Sequence, residues 1–384
     1  MKNKLTTLLS IFISINAIAQ VHPDDSKNTI FYEMWNIYYS HKDYTYFAPT
    51  PLSFVNDGPG KVANLFEAQL ALPFPLFVGR DHQRISTRGS GLFIIPKNMS
   101  RMYLIDDEGK PESSFPVRPL NFNPILSYVH FLQKAKDRNR CDKDYIYHRG
   151  IDLHNVKYKY YTLDLAHFSN GQSDSAINKE SLDKTDFTGH NNHYTGNFST
   201  NYLKLSFYTV NYNKKMKFWV TKSFFYQYDM NLFGLFGFDE TQFNRYGKHR
   251  IGGMFQWQSE AIPKRFKTIT IRRLKCKLNG DYEDLNKEAM DSKWYYTMQF
   301  RLEPTYIVDG LNEYLRRDKD KLSIKLSAAL FPLNWRSLGI LTQFYYGRDY
   351  YNIRYDQRLL QFKIGFVMDP NKFIPKNVDY YQKY

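Results

Sequence analysis

Beyond its first twenty residues, the sequence contains no apolar stretch long enough to form a transmembrane helix. Such a helix needs about twenty consecutive, mostly apolar residues to cross the hydrocarbon core of a bilayer. No segment after residue 20 approaches that length, and charged residues make up 24% of the 384-residue chain. The sequence therefore excludes a protein that is embedded in a membrane by a bundle of apolar helices.

Cysteine is also scarce, since Cys141 and Cys276 are the two in the whole chain. They could pair in an oxidising compartment, but one widely separated pair is not the disulfide framework that holds small secreted domains together. The default expectation is that both thiols are unpaired. The sequence thus excludes a disulfide-rich fold.

The first residues are typical of a secretory signal peptide. Two lysines precede an apolar run from Leu5 to Ile18, and Ala17-Ile18-Ala19 fits a signal-peptidase cleavage site. We therefore predict a signal peptide over residues 1–19 and a single exported domain over residues 20–384, in which 374–384 form a short C-terminal tail. The alternative, an uncleaved membrane anchor, is disfavoured because the apolar run is shorter than a full span.

Aromatic residues, by contrast, are abundant: the chain has 32 Tyr and 30 Phe, and aromatics make up 17% of it. An exported chain with many aromatics, much charge and no apolar span fits an outer-membrane β-barrel. In such a barrel the lipid-facing residues alternate with a polar lumen, and aromatic residues form belts at both membrane interfaces. A secreted β-sandwich is the competing fold class.

The formal net charge of +15 predicts an acidic partner. For an exported barrel, anionic lipid headgroups or lipopolysaccharide phosphates suit that charge better than nucleic acid does. We therefore expect a membrane-embedded protein and no nucleic-acid partner.

Many segments alternate between apolar and polar residues, as strands with one apolar and one solvated face do. The alternation is cleanest in Lys321–Leu330 and Leu359–Met368. Further examples are Phe66–Leu72, Ile125–Phe131, Tyr160–Ser169, Asn201–Tyr212, Phe218–Tyr228, Trp294–Leu302 and Gly339–Tyr346. Polar, turn-rich connections separate them, the longest running from Gly171 to about Asn197. We predict an all-β fold, a transmembrane antiparallel β-barrel of the outer membrane with ten to fourteen strands and long external loops.

One predicted strand ends in residues that can act together chemically. His167 and Ser169 share the strand face that carries its leucines, which in a barrel is the lipid side. Asn201 begins the next predicted strand, again on the face that carries leucines. All three side chains should therefore face outward at the rim of two adjacent strands.

A serine hydroxyl becomes a nucleophile when an imidazole removes its proton and a third group fixes the tautomer of that imidazole. Asn201 could fix it by accepting a hydrogen bond, and the turn at Asn170-Gly171 could offer backbone N–H groups to an oxyanion. Polar groups that face lipid are costly unless they have a use. The simpler interpretation is an interfacial histidine beside an ordinary Ser-Asn-Gly turn.

With these residues the sequence resembles the outer membrane phospholipase A family. The resemblance rests on His167-Phe168-Ser169-Asn170-Gly171 and on Ser199-Thr200-Asn201-Tyr202-Leu203. It extends over most of the chain and includes Ala68–Leu76, Glu112–Pro124 and the closing segment Leu341–Phe373.

The resemblance implies a twelve-stranded barrel in the outer membrane of a Gram-negative bacterium. It further implies an enzyme that hydrolyses acyl esters of phospholipids in the outer leaflet. In that mechanism His167 is the general base, Ser169 the nucleophile and Asn201 the residue that orients the histidine, while the backbone N–H of Gly171 contributes to the oxyanion hole.

The resemblance also implies calcium dependence and an active homodimer. The implied calcium ligands are Gln172 through its carbonyl, Asn197, and Ser114 of the partner subunit, all of them the hard oxygen donors that Ca²⁺ prefers. Asn197 stands where the family is expected to have a serine.

Two other functions remain open from the sequence. A lipid A deacylase would share a His-x-Ser-Asn motif but would use glutamate as the third member, whereas here an asparagine begins the next strand. A catalytically silent, porin-like barrel would carry the His-Ser pair without using it, and replacing Ser169 would then leave lipid turnover unchanged.

Overall fold

The computed structural model describes residues 38, 42–50, 52–55, 64–78, 90–103, 120–132, 157–170, 197–213, 218–230, 246–259, 262–263, 295–309, 321–332, 338–350 and 358–368. Its strands are β1 (Thr45–Pro49), β2 (Leu52–Val55), β3 (Asn64–Ala71), β4 (Phe74–Val78), β5 (Ser90–Tyr103), β6 (Asn121–Phe131), β7 (Lys157–Ser169), β8 (Ser199–Asn213), β9 (Phe218–Met230), β10 (His249–Ser259), β11 (Ile262–Pro263), β12 (Tyr295–Ile307), β13 (Leu322–Pro332), β14 (Leu338–Arg348) and β15 (Arg358–Met368). The predicted signal peptide, the C-terminal tail and both cysteines lie outside the described residues.

These segments form a closed antiparallel barrel of twelve strands. Hydrogen bonding runs in the order β1-β3-β5-β6-β7-β8-β9-β10-β12-β13-β14-β15, and β1 returns to pair with β15. Three strands consist of two segments each: β2 continues β1 along β15, β4 continues β3 along β5, and β11 continues β10 along β12. The all-β antiparallel barrel of ten to fourteen strands predicted from the alternating segments is confirmed, and so are the twelve strands that the resemblance implies.

The two faces of the barrel wall differ in polarity because successive side chains of a strand point to opposite faces. In β6, for example, Phe122 and Leu126 are exposed on the outer face, whereas Asn123 and Ser127 are buried in the lumen. An apolar outer band around a polar interior is the pattern of a membrane-spanning barrel. No helix in the described ranges is long and apolar enough to cross a membrane.

The register defines the two ends of the barrel. Thr45 of β1 pairs with Met368 of β15, so the first strand begins and the last strand ends at the same rim, which we call the terminal rim. We call the opposite end the distal rim. Because neighbouring strands are antiparallel, β7 runs from the terminal to the distal rim and β8 runs back. Ser169, which pairs with Ser199, therefore lies at the distal rim.

A group of buried charged side chains fills part of the lumen, and we call it the lumenal charge cluster: Glu67, Arg101, Asp349 and Lys363. Arg101 donates to Glu67 at 2.8 and 3.0 Å and to both carboxylate oxygens of Asp349 at 2.8 and 2.9 Å. Lys363 donates to the other oxygen of Glu67 at 2.5 Å. The side chains of Glu67, Arg101 and Lys363 are fully buried. Charges can be buried in this way only when each is paired.

The residues just before the first strand enter the lumen, and we call Lys42–Tyr44 the lumenal strap. The Tyr44 hydroxyl donates to the side chain of Gln299 at 2.6 Å, and Arg301 donates to the backbone carbonyl of Lys42 at 3.0 Å. Both partners lie on β12, far along the chain from the strap. The strap thus ties the start of the barrel to strands near its end.

Candidate active site

Strands β7 and β8 place the three predicted catalytic residues on one side of the barrel wall. His167 lies directly opposite Asn201, and Ser169 lies directly opposite Ser199 at the distal rim. The same face carries Leu165 and Leu203, which are 43% and 38% exposed. His167, Ser169 and Asn201 therefore lie on the outer, lipid-facing side of the wall.

A hydrogen bond joins the histidine to the asparagine. Nδ1 of His167 and the carbonyl oxygen Oδ1 of Asn201 are 2.9 Å apart. Since a carbonyl oxygen can only accept, Nδ1 carries the proton and donates it. In the neutral imidazole this leaves Nε2 as the basic nitrogen, which is the tautomer that a general base requires. Asn201 itself is only 6% exposed, so this hydrogen bond is sheltered from competing polar groups.

Ser169 completes the arrangement from the end of the same strand. It follows His167 by two residues on the same face, a separation of roughly 7 Å between Cα atoms, and both side chains are partly exposed. That spacing is within reach of two side chains. On its other side Ser169 pairs with Phe122 of β6, so the hydroxyl has an aromatic neighbour in the lipid-facing wall.

A pair of hydrogen bonds closes the end of the strand pair directly behind the serine. The backbone N–H of Asn170 donates to the carbonyl of Phe198 at 3.1 Å, and the Asn170 side-chain oxygen accepts from the backbone N–H of Phe198 at 3.0 Å. Asn170 is buried. We call this double contact the strand clamp. Sequence reasoning assigned Asn170 only to a turn, and the asparagine before the glycine was the available signal.

Aromatic packing supports the clamp from the lumen side. Phe168, between His167 and Ser169 in sequence, points inward and meets Phe198 edge-on with ring centres 5.7 Å apart. Phe198 in turn packs against Tyr246 at 5.5 Å. The strand end that carries His167 and Ser169 is therefore fixed by buried aromatic rings as well as by hydrogen bonds.

An apolar lane runs down the outer wall below the three residues. Successive cross-strand pairs along it are Leu165 with Leu203, Leu163 with Leu205, and Tyr161 with Phe207. An extended acyl chain could lie along this lane with its ester group at the distal rim. The arrangement suits chemistry on a substrate that is dissolved in the membrane.

The outer wall also carries a histidine that sequence reasoning did not single out. Nδ1 of His249 on β10 is hydrogen-bonded to the Tyr226 hydroxyl at 2.6 Å, and the His249 ring packs against Tyr228 with ring centres 5.0 Å apart. Tyr228 pairs with Leu203, so this group flanks the apolar lane one strand away from it. A lone histidine in a strand with two glycines gave no pattern by which to find it.

The predicted oxyanion and calcium residues are only partly within the described ranges. Gly171, Gln172 and Ser114 lie outside them. Asn197 is described and exposed, and it immediately precedes Phe198 of the strand clamp. It therefore lies beside the point where the chain leaves Asn170. Among the described residues, no group of three or more histidine, cysteine or acidic side chains is arranged to hold a metal ion.

The chain matches no protein-family model and none of the curated proteins. It is similar to the solved structure of outer membrane phospholipase A from Escherichia coli, with 14% identity over 86% of this chain and 93% of that one and a TM-score of 0.44. An active-site mutant of the same protein gives 14% identity over 86% and 91%, also at 0.44. The Salmonella typhi outer membrane phospholipase dimer with bound calcium gives 14% over 86% and 91%, at 0.45. An identity of 14% assigns no residue a role and does not assign the chain to that family.

Proposed function

We propose that the protein is an outer-membrane phospholipase of a Gram-negative bacterium, a serine hydrolase that cleaves acyl esters of phospholipids in the outer leaflet. The observation that carries the proposal is the hydrogen bond from His167 to Asn201 on the lipid-facing wall, with Ser169 two residues from His167 on the same face of β7. A soluble substrate would not need these groups on the side of the barrel that faces hydrocarbon. A phospholipid would meet them by diffusing in the membrane plane.

The reaction proceeds through an acyl-enzyme. Nε2 of His167 removes the proton of Ser169 as Oγ attacks the ester carbonyl, and a tetrahedral oxyanion forms. Collapse breaks the bond to the glycerol oxygen, which takes the proton from His167 and leaves as lysophospholipid. Water then attacks the acyl-serine with the same base, which releases the fatty acid and restores the serine.

Asn201 acts by holding the imidazole rather than by moving protons. Its carbonyl oxygen accepts from Nδ1, which makes Nε2 the nitrogen that takes the serine proton and stabilises the imidazolium that forms during attack. The backbone N–H of Gly171 donates to the oxyanion. Support for that role comes from the strand clamp, because Asn170 fixes the chain at the residue before Gly171.

The side chain of Asn197 fits the donor chemistry of a calcium site. Asn197 exposes a side-chain amide beside the start of the segment that contains Gly171 and Gln172, and an amide oxygen is a hard ligand of the kind Ca²⁺ takes. Asn197 and the carbonyl of Gln172, with Ser114 of the partner subunit, would hold the ion. When bound there, Ca²⁺ would supply positive charge to stabilise the oxyanion.

The proposed homodimer follows from the same set of calcium ligands. A calcium site that includes Ser114 of the partner subunit is complete only when two copies meet, which makes the homodimer the active form. A second copy against the lipid-facing wall would also enclose the apolar lane from its open side.

The described structure supports the phospholipase over both alternatives. The lumenal charge cluster is tightly packed, since the side chain of Arg101 is fully buried, whereas porins have a water-filled channel. A lipid A deacylase would carry a glutamate where Asn201 accepts from His167.

The test is hydrolysis of phospholipid in detergent micelles by the refolded protein and by Ser169→Ala, each with calcium and with a chelator. We expect fatty acid and lysophospholipid from the wild type alone, and only with calcium. Activity that depends on Ser169 but persists with the chelator would remove the metal from the proposal. Activity on lipid A alone would identify the protein as a lipid A deacylase instead. No activity on either lipid would favour the catalytically silent, porin-like barrel.

A further inference from the structure

A second outward-facing serine–histidine pair lies at the terminal rim, at the other end of the same wall. Ser90 of β5, His130 of β6 and Tyr161 of β7 form one cross-strand row. Ser90 Oγ and His130 Nδ1 are 2.7 Å apart. The Tyr128 hydroxyl donates to Ser90 Oγ at 3.2 Å, and the His130 ring packs against Tyr161 with centres 5.3 Å apart.

These hydrogen bonds are compatible with one chain of donors. Tyr128 donates to Ser90, which leaves the proton of the serine hydroxyl available for His130 Nδ1, and we infer that Nδ1 accepts it. A neutral imidazole that accepts at Nδ1 carries its own proton at Nε2. Nε2–H lies across the ring from Ser90, and among the described residues it has no acceptor. A donor is thus held at the membrane interface by three linked side chains.

Two lysines lie on the same outer face near the terminal rim, Lys159 on the strand next to His130 and Lys222 two strands further along the wall. Lys159 and Lys222 occupy the same cross-strand row, one on each side of Thr209, so their Cα atoms are about 10 Å apart. Both side chains are exposed on the outer face, and within the described ranges neither ammonium has an acidic partner. Two cations side by side repel each other, and an anion between them relieves that repulsion.

We call His130, Lys159 and Lys222 the basic patch. Its position matches the headgroup layer of a membrane. Lys159 precedes His167 by eight residues on β7, which is about 27 Å along the strand. With the usual strand tilt this is roughly 20 Å of membrane thickness, close to the height of the apolar band of a barrel, about 25 Å. Lys159 therefore lies at the interface opposite the candidate active site, where phosphates of the other leaflet are found.

The patch is not arranged for hydrolysis. Ser90 contacts the imidazole at Nδ1, so no described side chain is left to orient the histidine as Asn201 orients His167. Ser90 and His130 are also directly paired within the sheet, where backbone N–H groups are used by the strands and are not free for an oxyanion. The chemistry of the patch is that of binding.

We propose that His130, held by Ser90 and Tyr128, forms with Lys159 and Lys222 a binding site for the phosphate of an anionic glycerophospholipid in the leaflet at the terminal rim. His130 Nε2–H donates to a phosphate or ester oxygen, and the lysines supply the charge. The aromatic face of Tyr161 lies against the glycerol region. This site is independent of catalysis at Ser169 and holds a resident lipid rather than a substrate.

The test uses the full chain with Ser169→Ala, so that lipid is not consumed, refolded in micelles that contain equal amounts of phosphatidylglycerol and phosphatidylcholine. Retained lipids are counted by native mass spectrometry. We expect a preference for phosphatidylglycerol, a loss of about tenfold on His130→Phe, as for one hydrogen bond to a charged group, and a loss of about fivefold for each of Lys159→Gln and Lys222→Gln.

His249→Phe is the matched control, because it removes another outward histidine with a tyrosine partner but lies far from the two lysines. Its preference should equal that of the parent. An unchanged preference in His130→Phe, or an equal loss in His249→Phe, would overturn the proposal. Heat-modifiability on gels verifies folding of each variant. Should His130→Phe not fold, Ser90→Ala, which releases His130 from its anchor, must show the same direction of change.

Discussion

The side chains of His167 and Asn201 are joined by a 2.9 Å hydrogen bond between two directly opposed residues of β7 and β8. Opposed residues of an antiparallel pair have Cβ atoms only about 5 Å apart, so the contact needs no loop to form it. The orientation of the histidine is therefore fixed by the barrel wall itself. A functional group held by two rigid strands is positioned more accurately than one carried by a loop.

Ser169→Ala should lower phospholipid hydrolysis by at least about 10⁴-fold, because the proposed acyl-enzyme forms on the Ser169 hydroxyl. The refolded variant should remain heat-modifiable on gels, since Ser169 is only partly buried at the strand end. Ser199→Ala, which changes the opposed serine on β8, is the matched control and should keep most of the activity. Equal activity of wild type and Ser169→Ala would exclude the proposed nucleophile.

Asn201→Ala should leave partial activity, lower by roughly 10²-fold, because the imidazole loses its fixed orientation but keeps its basicity. Asn201→Asp retains an acceptor for Nδ1 and should recover most of that loss. Steady-state kinetics should show the change in kcat rather than in KM. Full activity of the alanine variant would remove Asn201 from the mechanism.

Asn170→Ala should destabilise the distal rim, because the buried N–H of Phe198 loses its acceptor. A buried donor without a partner costs about 1–3 kcal/mol of unfolding free energy. Urea unfolding in lipid vesicles, followed by tryptophan fluorescence, measures this. An unchanged unfolding free energy would show that the backbone bond alone holds the two chain ends together.

Calcium should bind the refolded dimer, and Asn197→Ala should weaken that binding by about tenfold through loss of one oxygen ligand. Isothermal titration in micelles measures the affinity directly and does not depend on turnover. Asn98→Ala, a change on the outer face of β5, provides a comparison that should leave the affinity unchanged. Identical affinities for wild type and Asn197→Ala would exclude Asn197 as a ligand.

Arg101→Leu should lower the unfolding free energy by about 3–5 kcal/mol, because Glu67 and Asp349 would remain buried without their common partner. Combining it with Asp349→Asn removes a carboxylate charge that Arg101 neutralised, while Glu67 keeps Lys363 as its partner, and should recover part of the loss. Thermal unfolding of the three variants in the same detergent gives the comparison. Additive losses in the double variant would argue that the two side chains are not coupled.

The sequence predicted those strands whose apolar residues alternate strictly. Tyr160–Ser169 was predicted and Lys157–Ser169 is observed, and Leu359–Met368 nearly coincides with β15. In contrast β5 was missed, because its outward face includes Asn98 and its lumenal face carries apolar residues such as Phe93, which removes the alternation. Alternation detects a strand only where its two faces differ in polarity, so a strand whose lumenal side chains are apolar, as in β5, is not detected.

The candidate site was accessible to sequence reasoning because it depends on local spacing. His167 and Ser169 share a face through the two-residue period of a strand, and Asn201 follows in the next strand. Their catalytic roles stay a prediction. Contacts between residues distant in sequence were not accessible, for example that of Lys363 with Glu67, because the closing register of the barrel decides which lumenal side chains meet.

The lumenal strap constrains the order in which the barrel can assemble. Tyr44 and Gln299 are 255 positions apart, so their contact forms only after nearly the whole chain has been laid down in the wall. Such long-range contacts carry a high loop-closure cost and form late. Docking of Lys42–Tyr44 on β12 and pairing of β1 with β15 both join the start of the barrel sequence to strands near its end. We therefore expect the strap contacts and the seam to form together, as a late step of folding for both ends of the barrel sequence.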